Sequence, residues 1–168
     1  MTVDDRAEPI RVTVHDDSTV VALHDGRVST IPVGVRTLAE RELADRDPPE
    51  PAQLSNALGL VEDHVEDIVL EHADLGALVT AGRVVVDGPV VRSVARVELG
   101  ADDVPVGFLL TRPAAEDVFR TVATERRADR AHNPGLPAEH LDTIIAGCCL
   151  VLGLMRRLQL DTVEVAAS

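Results

Sequence analysis

Apolar and polar positions alternate from Ile10 to Val14, where Ile10, Val12 and Val14 are interleaved with Arg11 and Thr13. A period of two is the signature of a strand with one buried face. Residues 20–23 and 28–33 continue it, and Asp25-Gly26 supplies the positive-φ positions of a hairpin turn. The chain is expected to open as a three-stranded antiparallel meander. The period then lengthens. Val35, Leu38, Ala39 and Leu43 predict a helix over 35–44, stopped by Pro48-Pro49. Over 51–70, Leu54, Leu58, Val61, Val65, Ile68 and Val69 share one stripe opposite Glu62, Asp63, Glu66 and Asp67, an amphipathic helix.

Beyond Gly76, residues 77–81 read as a buried strand. Val84-Val85-Val86-Asp-Gly-Pro-Val90-Val91 has the composition of a hairpin, and 94–99 fits strand or helix. Thr111 is placed to cap a helix running through Val122, with Pro113 in its first turn. A short polar helix is expected over 125–131, ended by Asn133-Pro134-Gly135. Pro137 then opens a long apolar helix over 138–158, apolar nearly all round from Ile144 to Met155 and so expected at the centre of the fold. Residues 161–166 close the chain as a strand with Val163 and Val165 on one face.

Composition narrows the classes. With 168 residues, 45% apolar and 27% charged, the chain fits a single domain with a sizeable core; residues 1–8 read as an acidic tail and 9–168 as the domain. A formal net charge of −13 excludes a phosphate-backbone partner, and Phe108 and Phe119 alone give no stacking platform for single strands. No apolar run reaches the ~20 residues of a membrane span, and the N-terminus has no signal-peptide pattern, so a cytoplasmic protein is expected. Cys148 and Cys149, adjacent on a helix, diverge by about 100° and read as small buried hydrophobes rather than a disulfide.

The predicted order, βββ-α-α-β-(α or ββ)-α-α-β, resembles one actin-like, ribonuclease-H-type α/β domain with a mixed sheet flanked by helices. Three stretches sharpen the likeness: Asp16-Asp17-Ser18-Thr19 followed by Ile31-Pro-Val-Gly-Val-Arg-Thr-Leu-Ala-Glu-Arg and Asp47-Pro-Pro; Leu110-Thr111-Arg112 with Ala128-Asp129-Arg130-Ala-His-Asn-Pro-Gly-Leu136; and Pro137-Ala-Glu-His-Leu-Asp142-Thr-Ile-Ile-Ala-Gly147. In this order they resemble the second domain of the exopolyphosphatase/guanosine pentaphosphate phosphatase (Ppx/GppA) family. In that family two actin-like domains close on a cleft. Glycine-rich turns hold the phosphate chain with a divalent metal, and a first-domain glutamate positions the attacking water.

The resemblance implies a phosphate site at Ser18, Thr19, Gly82 and Arg83, and the residue types depart from it. Where the family has Gly-Gly-Ser-Thr-Glu, this chain has Asp16-Asp17-Ser18-Thr19-Val20. The second loop corresponds to Ala81-Gly82-Arg83-Val84-Val85-Val86, keeping one glycine and losing the hydroxyls. The first-domain glutamate and the final glycine-rich turn are expected to have no counterpart. A carboxylate ~4 Å from a phosphate charge is opposed by about 4 kcal/mol at an effective dielectric near 20, more than the ~1.5–3 kcal/mol of a charged hydrogen bond from Ser18 or Thr19.

Asp16 and Asp17 are the candidate ligands for Mg²⁺ or Ca²⁺, against a solvated turn in which neighbouring carboxylates point apart. Asp129, Arg130 and His132 suggest a charged constellation, but Arg126-Arg127-Ala-Asp129-Arg130 reads more simply as i,i+3 pairing on a polar helix. No catalytic residue is assigned. The expected function is a domain inactive by itself that binds a protein partner or dimerises, with no cofactor, and with Mg²⁺ only where phosphatase activity is retained. The alternatives are half of an exopolyphosphatase or pppGpp phosphohydrolase completed in trans, and a weak sensor of polyphosphate or guanosine nucleotide.

Overall fold

The computed structural model describes residues 8–167. All of the expected acidic tail except Glu8 lies outside the described residues. A six-stranded mixed sheet has the order β3-β2-β1-β4-β6-β5. The meander forms as expected from β1 (Ile10–Val14), β2 (Thr19–Ala22) and β3 (Val28–Ile31), antiparallel in sequence. Next to β1 lies β4 (Val84–Asp87), parallel to it, with Ile10 opposite Val84 and Thr13 opposite Asp87. The last strand, β6 (Thr162–Val165), is parallel to β4, and β5 (Leu109–Thr111) closes the far edge antiparallel to β6.

Between β3 and β4 the chain forms α1 (Val35–Leu38), which widens into a π-helical turn over Ala39–Leu43, then α2 (Pro51–Glu71) and α3 (Leu75–Ala81). Between β4 and β6 come α4 (Pro89–Leu99), β5, α5 (Arg112–Thr124), α6 (Arg127–Arg130), a 3₁₀ turn at Ala138–His140 and α7 (Ile144–Arg157). Both crossovers step in the same direction along the sheet. The right-handed rule therefore sets their helices on one face, and α2, α4 and α5 all pack against α7. Helix α7 is buried from Ile144 to Met155, the central element that its unbroken apolar run predicts. Ile10, Val12, Val14, Val84, Val86 and Val165 line the sheet face beneath the helices.

Three expectations change. Residues 77–81 are not a strand: Leu75 and Val79, four apart, are buried together in α3, and Gly76 sits inside that helix with open space around it. The hairpin expected at 84–91 is instead β4 followed by α4. Pro89, with its fixed φ and no N–H to satisfy, occupies the first helical position, and Val90, Val91 and Val94 are buried at helical spacing. The helix expected over 138–158 breaks before Ile144, where the Leu141 carbonyl accepts a hydrogen bond from the Arg130 guanidinium at 2.6 Å. Strand β5, three residues long, was too short to show a period. Thr111 caps α5 as expected, its hydroxyl accepting from the Ala114 N–H at 3.2 Å.

Candidate functional site

Strands β1 and β4 both point their carboxyl ends to the same rim, where open α/β sheets bind ligands. On one side stands the β1–β2 turn. His15 N–H donates to the Ser18 carbonyl (2.9 Å), closing it. The carbonyls of His15 and Asp16 then turn into the start of α1: Val35 N–H donates to His15 O (3.0 Å), and Arg36 and Thr37 N–H both donate to Asp16 O (2.9 and 3.2 Å). Helix starts leave such N–H groups for a cap or an anion, and here the chain's own backbone takes them. Gly34 makes the approach possible, since a Cβ there would lie 2.3 Å from the His15 oxygen and 2.4 Å from the Asp16 carbonyl carbon.

The two hydroxyls of this turn differ. Thr19 is buried and donates inward to the Val33 carbonyl at 2.8 Å, holding β2 to the segment before α1; Ser18 is half-buried at the rim. Asp17 pairs with Arg36, which also lies 3.4 Å from Glu40. The Asp17 carboxylate holds the Arg36 proton more tightly than usual, with Coulombic help from Glu40. Asp16 borders a cleft of about 490 Å³ together with Val14, Val35, Val90, Glu139 and His140.

Across the cleft, β4 ends in Asp87-Gly88-Pro89. Gly88 has φ +144°, and a Cβ would meet the Val14 carbonyl oxygen at 2.6 Å, so only glycine lets the β4–α4 connection press against β1. Asp87 pairs with Arg92 at 2.7 Å and with Arg11 at 3.7 Å. Buried Ser93 places its hydroxyl 2.6 Å from His140 Nδ1 and 3.3 Å from the Pro89 carbonyl. Burial pushes the His140 pKa below its ordinary value, Glu139 and Asp16 opposing the shift and Arg96 and Arg92 assisting it.

Gly82 and Arg83 do not reach this cleft. Gly82 ends α3, and the Arg83 carbonyl accepts from Ile10 N–H (2.9 Å) at the opposite end of the sheet. The length of β1, about 13 Å at 3.3 Å per residue, separates them from Ser18 and Thr19. Arg83 faces Glu164 at 3.5 Å. The position opposite the Asp16 turn belongs to Asp87-Gly88-Pro89. The sequence signal for this was present in the Gly-Pro step after an apolar run, which marks a strand's carboxyl end and a helix's first residue.

A divalent metal does not fit the residues at this rim. Among the described residues no three His, Cys, Asp or Glu side chains come together with the geometry of a metal site, and Asp17 is already paired with Arg36. Arg130 is not a member of an exposed polar-helix pair. It is buried, and donates to the carbonyls of Val122 (3.1 Å), Glu125 (3.0 Å) and Leu141 (2.6 Å), with Asp47 at 3.5 Å. Asp47 also accepts from the Arg127 N–H, and Arg127 pairs with Asp142 at 2.6 Å. This knot fixes α5, α6 and the start of α7 to the loop after α1, a structural role. Cys148 and Cys149 are buried apart from any partner sulfur; burial raises both thiols, Cys149 to about 12.

No protein-family model and no curated protein matches the chain. Solved structures do. An exopolyphosphatase-like protein superposes with a TM-score of 0.82 at 19% identity, over 99% of this chain and 58% of that one. The Aquifex aeolicus Ppx/GppA enzyme gives 0.78 at 18% identity, over 95% of this chain and 53% of that one. A Cytophaga hutchinsonii exopolyphosphatase gives 0.69 at 12% identity, over 95% and 53%. The chain thus has the actin-like fold of a single Ppx/GppA domain and spans about half the length of the structures it matches. No helix among the described residues is long and apolar enough to cross a membrane.

Proposed function

We propose that this domain, the counterpart of the second Ppx/GppA domain, does not hydrolyse phosphoanhydrides by itself and serves as a protein-binding module of the cytoplasm. One observation carries the reading. The N–H groups that open α1 beside the cleft are closed by the His15 and Asp16 carbonyls, while carboxylates stand at that turn. A phosphate chain brought there would find those donors taken, and a carboxylate ~4 Å away costs about 4 kcal/mol per charge pair. Ser18 offers one hydroxyl in return, since the Thr19 hydroxyl is turned inward. The divalent ion that would reverse the sign finds no group of three or more His, Cys, Asp or Glu among the described residues, and in this reading Mg²⁺ belongs only where hydrolysis is retained.

The test is phosphate release from polyphosphate or pppGpp with Mg²⁺ by the purified chain. The expected result is none. Turnover that disappears in the Asp16→Ala, Asp17→Ala double variant would overturn the proposal.

A second reading, suggested by the match to one domain of the exopolyphosphatase-like structures, is half of a phosphohydrolase whose site is completed in trans by a chain carrying the other domain. Affinity capture that returns such a chain, with phosphate release on mixing, would establish it. A third reading, a weak nucleotide sensor acting through Gly82 and Arg83, would use the separate cleft that these two residues line with Leu160 and Glu164, away from Ser18 and Thr19. Calorimetry with ppGpp should give no binding heat.

A further inference from the structure

Of the carboxylates around the rim cleft, Asp17 pairs with Arg36, and Asp87 pairs with Arg92 at 2.7 Å. Two others are left. The carboxylates of Asp16, on the β1–β2 turn, and Glu139, in the 3₁₀ turn before α7, make no hydrogen bond or ion pair among the described residues. Both are exposed, both line the cleft, and both act on the His140 ring from their separate elements. The cations nearby do not cancel them. Arg36, which also lines the cleft, is shared by Asp17 and Glu40. Arg92 and Arg96 act on His140 from α4 without lining the cleft. Burial holds His140 below its ordinary pKa, so the ring adds no charge at neutral pH.

The rest of the lining is apolar or small. Val14, Val35 and Val90 are nearly buried and form the floor, with exposed Pro89 and half-buried Thr143 beside them. A cavity of about 490 Å³ that joins an apolar lining to two unpaired carboxylates suits a long side chain with a cationic end. Lysine and arginine have that build, a stem that packs on apolar surface and a head that keeps to charge. Arginine suits it better. Its planar fork carries five donors and can meet two carboxylates at once, and a guanidinium is more weakly hydrated than an ammonium.

We propose that this cleft receives an arginine side chain of a protein partner, with the guanidinium held between Asp16 and Glu139. The proposal rests on reading the domain as a protein-binding module and states what the partner must present. The Asp16 carboxylate that opposes a phosphate is thus the group that admits a cation. The net charge of −13 draws a basic surface toward the chain from any side, and the cleft decides where that surface seats. An arginine anchored in a pocket is a common centre of protein–protein contacts.

Amide chemical shifts of the nitrogen-15-labelled full chain, followed through a peptide titration, test it. The probe is a capped pentapeptide with arginine between two pairs of glycines. It should shift the amides of Asp16, Glu139, His140 and Thr143 saturably, and the same peptide with citrulline, which keeps the shape and loses the charge, should not. Asp16→Asn and Glu139→Gln should each raise the dissociation constant about tenfold, the loss of one charged hydrogen bond. Asp63→Asn, which removes the same charge from an exposed position of α2, should leave it unchanged. Neither tested carboxylate is bonded to the rest of the chain, so both variants should keep the wild-type spectrum, and either one suffices if the other misfolds. No shift at several millimolar peptide overturns the proposal, as do equal shifts from the citrulline peptide or binding that survives both substitutions. Tighter binding of spermidine at these amides would make the cleft a small-molecule site, and tighter binding of pyrophosphate an anion site; either result overturns the arginine seat. Phosphate release is measured separately. A hydrolysing chain that still takes the arginine peptide overturns the non-catalytic reading alone, and an inactive chain that does not take it overturns the arginine seat alone.

Discussion

Gly34→Ala puts the locked turn under direct test. The new Cβ would stand 2.3 Å from the His15 carbonyl oxygen and 2.4–2.5 Å from the Asp16 carbonyl group. All of these are backbone atoms, so no side chain can swing aside. Overpacking of this kind costs about 1–3 kcal/mol. To relieve it the turn must withdraw from α1, which stretches the three bonds from Val35, Arg36 and Thr37 to His15 and Asp16, each contributing about 1 kcal/mol. The expected loss is roughly 4–6 kcal/mol, a large share of the 5–15 kcal/mol that domains have in total. At about 2–4 °C per kcal/mol for a chain of this size, the midpoint should fall by roughly 8–24 °C. Thermal and urea unfolding followed by circular dichroism measure both quantities. Gly59→Ala is the control: it lies inside α2 with open space around it, so the same added methyl should stabilise by about 0.5–1 kcal/mol. A Gly34→Ala loss below about 1 kcal/mol would mean the turn is not held as described, and the main support for a closed phosphate site would go with it.

Arg130→Met strips the fork from three backbone carbonyls and should destabilise by about 3–5 kcal/mol in urea melts; Arg130→Lys should not restore stability, because an ammonium cannot serve Val122, Glu125 and Leu141 together. The folded protein holds His140 neutral longer than the unfolded chain does. The unfolded imidazole therefore takes up its proton first as pH falls through about 6.5, and the His140 contribution, full above that pH, is lost until the folded-state pKa is passed. His140→Gln should flatten the fall in stability between pH 7 and 5; an unchanged slope would refute it. The fall should be shallow, because Ser93 can redirect its hydroxyl to the Pro89 carbonyl when the ring charges. Cys148 and Cys149 should stay unlabelled by a thiol reagent at pH 8 and both react on unfolding, since burial withholds the thiolate; rapid native labelling would contradict the buried α7.

The local pattern alone determined the meander, α2, the α5 cap and the central position of α7, because each depends on a period or on a cap carried by neighbouring residues. It misread α3 and α4 for one reason: short runs of Val, Leu and Ala bury themselves equally well in either geometry. Only the packing of Leu75 with Val79, and the start of α4 at Pro89, decided for helix. The Asp16-Asp17 turn was legible as a place hostile to phosphate from its residue types. That its carbonyls close α1 was not, because the bonds join residues 15–16 to 35–37 and exist only once β1 and α1 have met. Likewise Arg83 and Ser18 each looked suited to a phosphate, and the parallel register of β1 with β4 placed them at opposite ends of the sheet. Residue chemistry is a property of the sequence. Which residues share a rim or a face is fixed by strand order and register, and these depend on contacts between segments far apart in the chain.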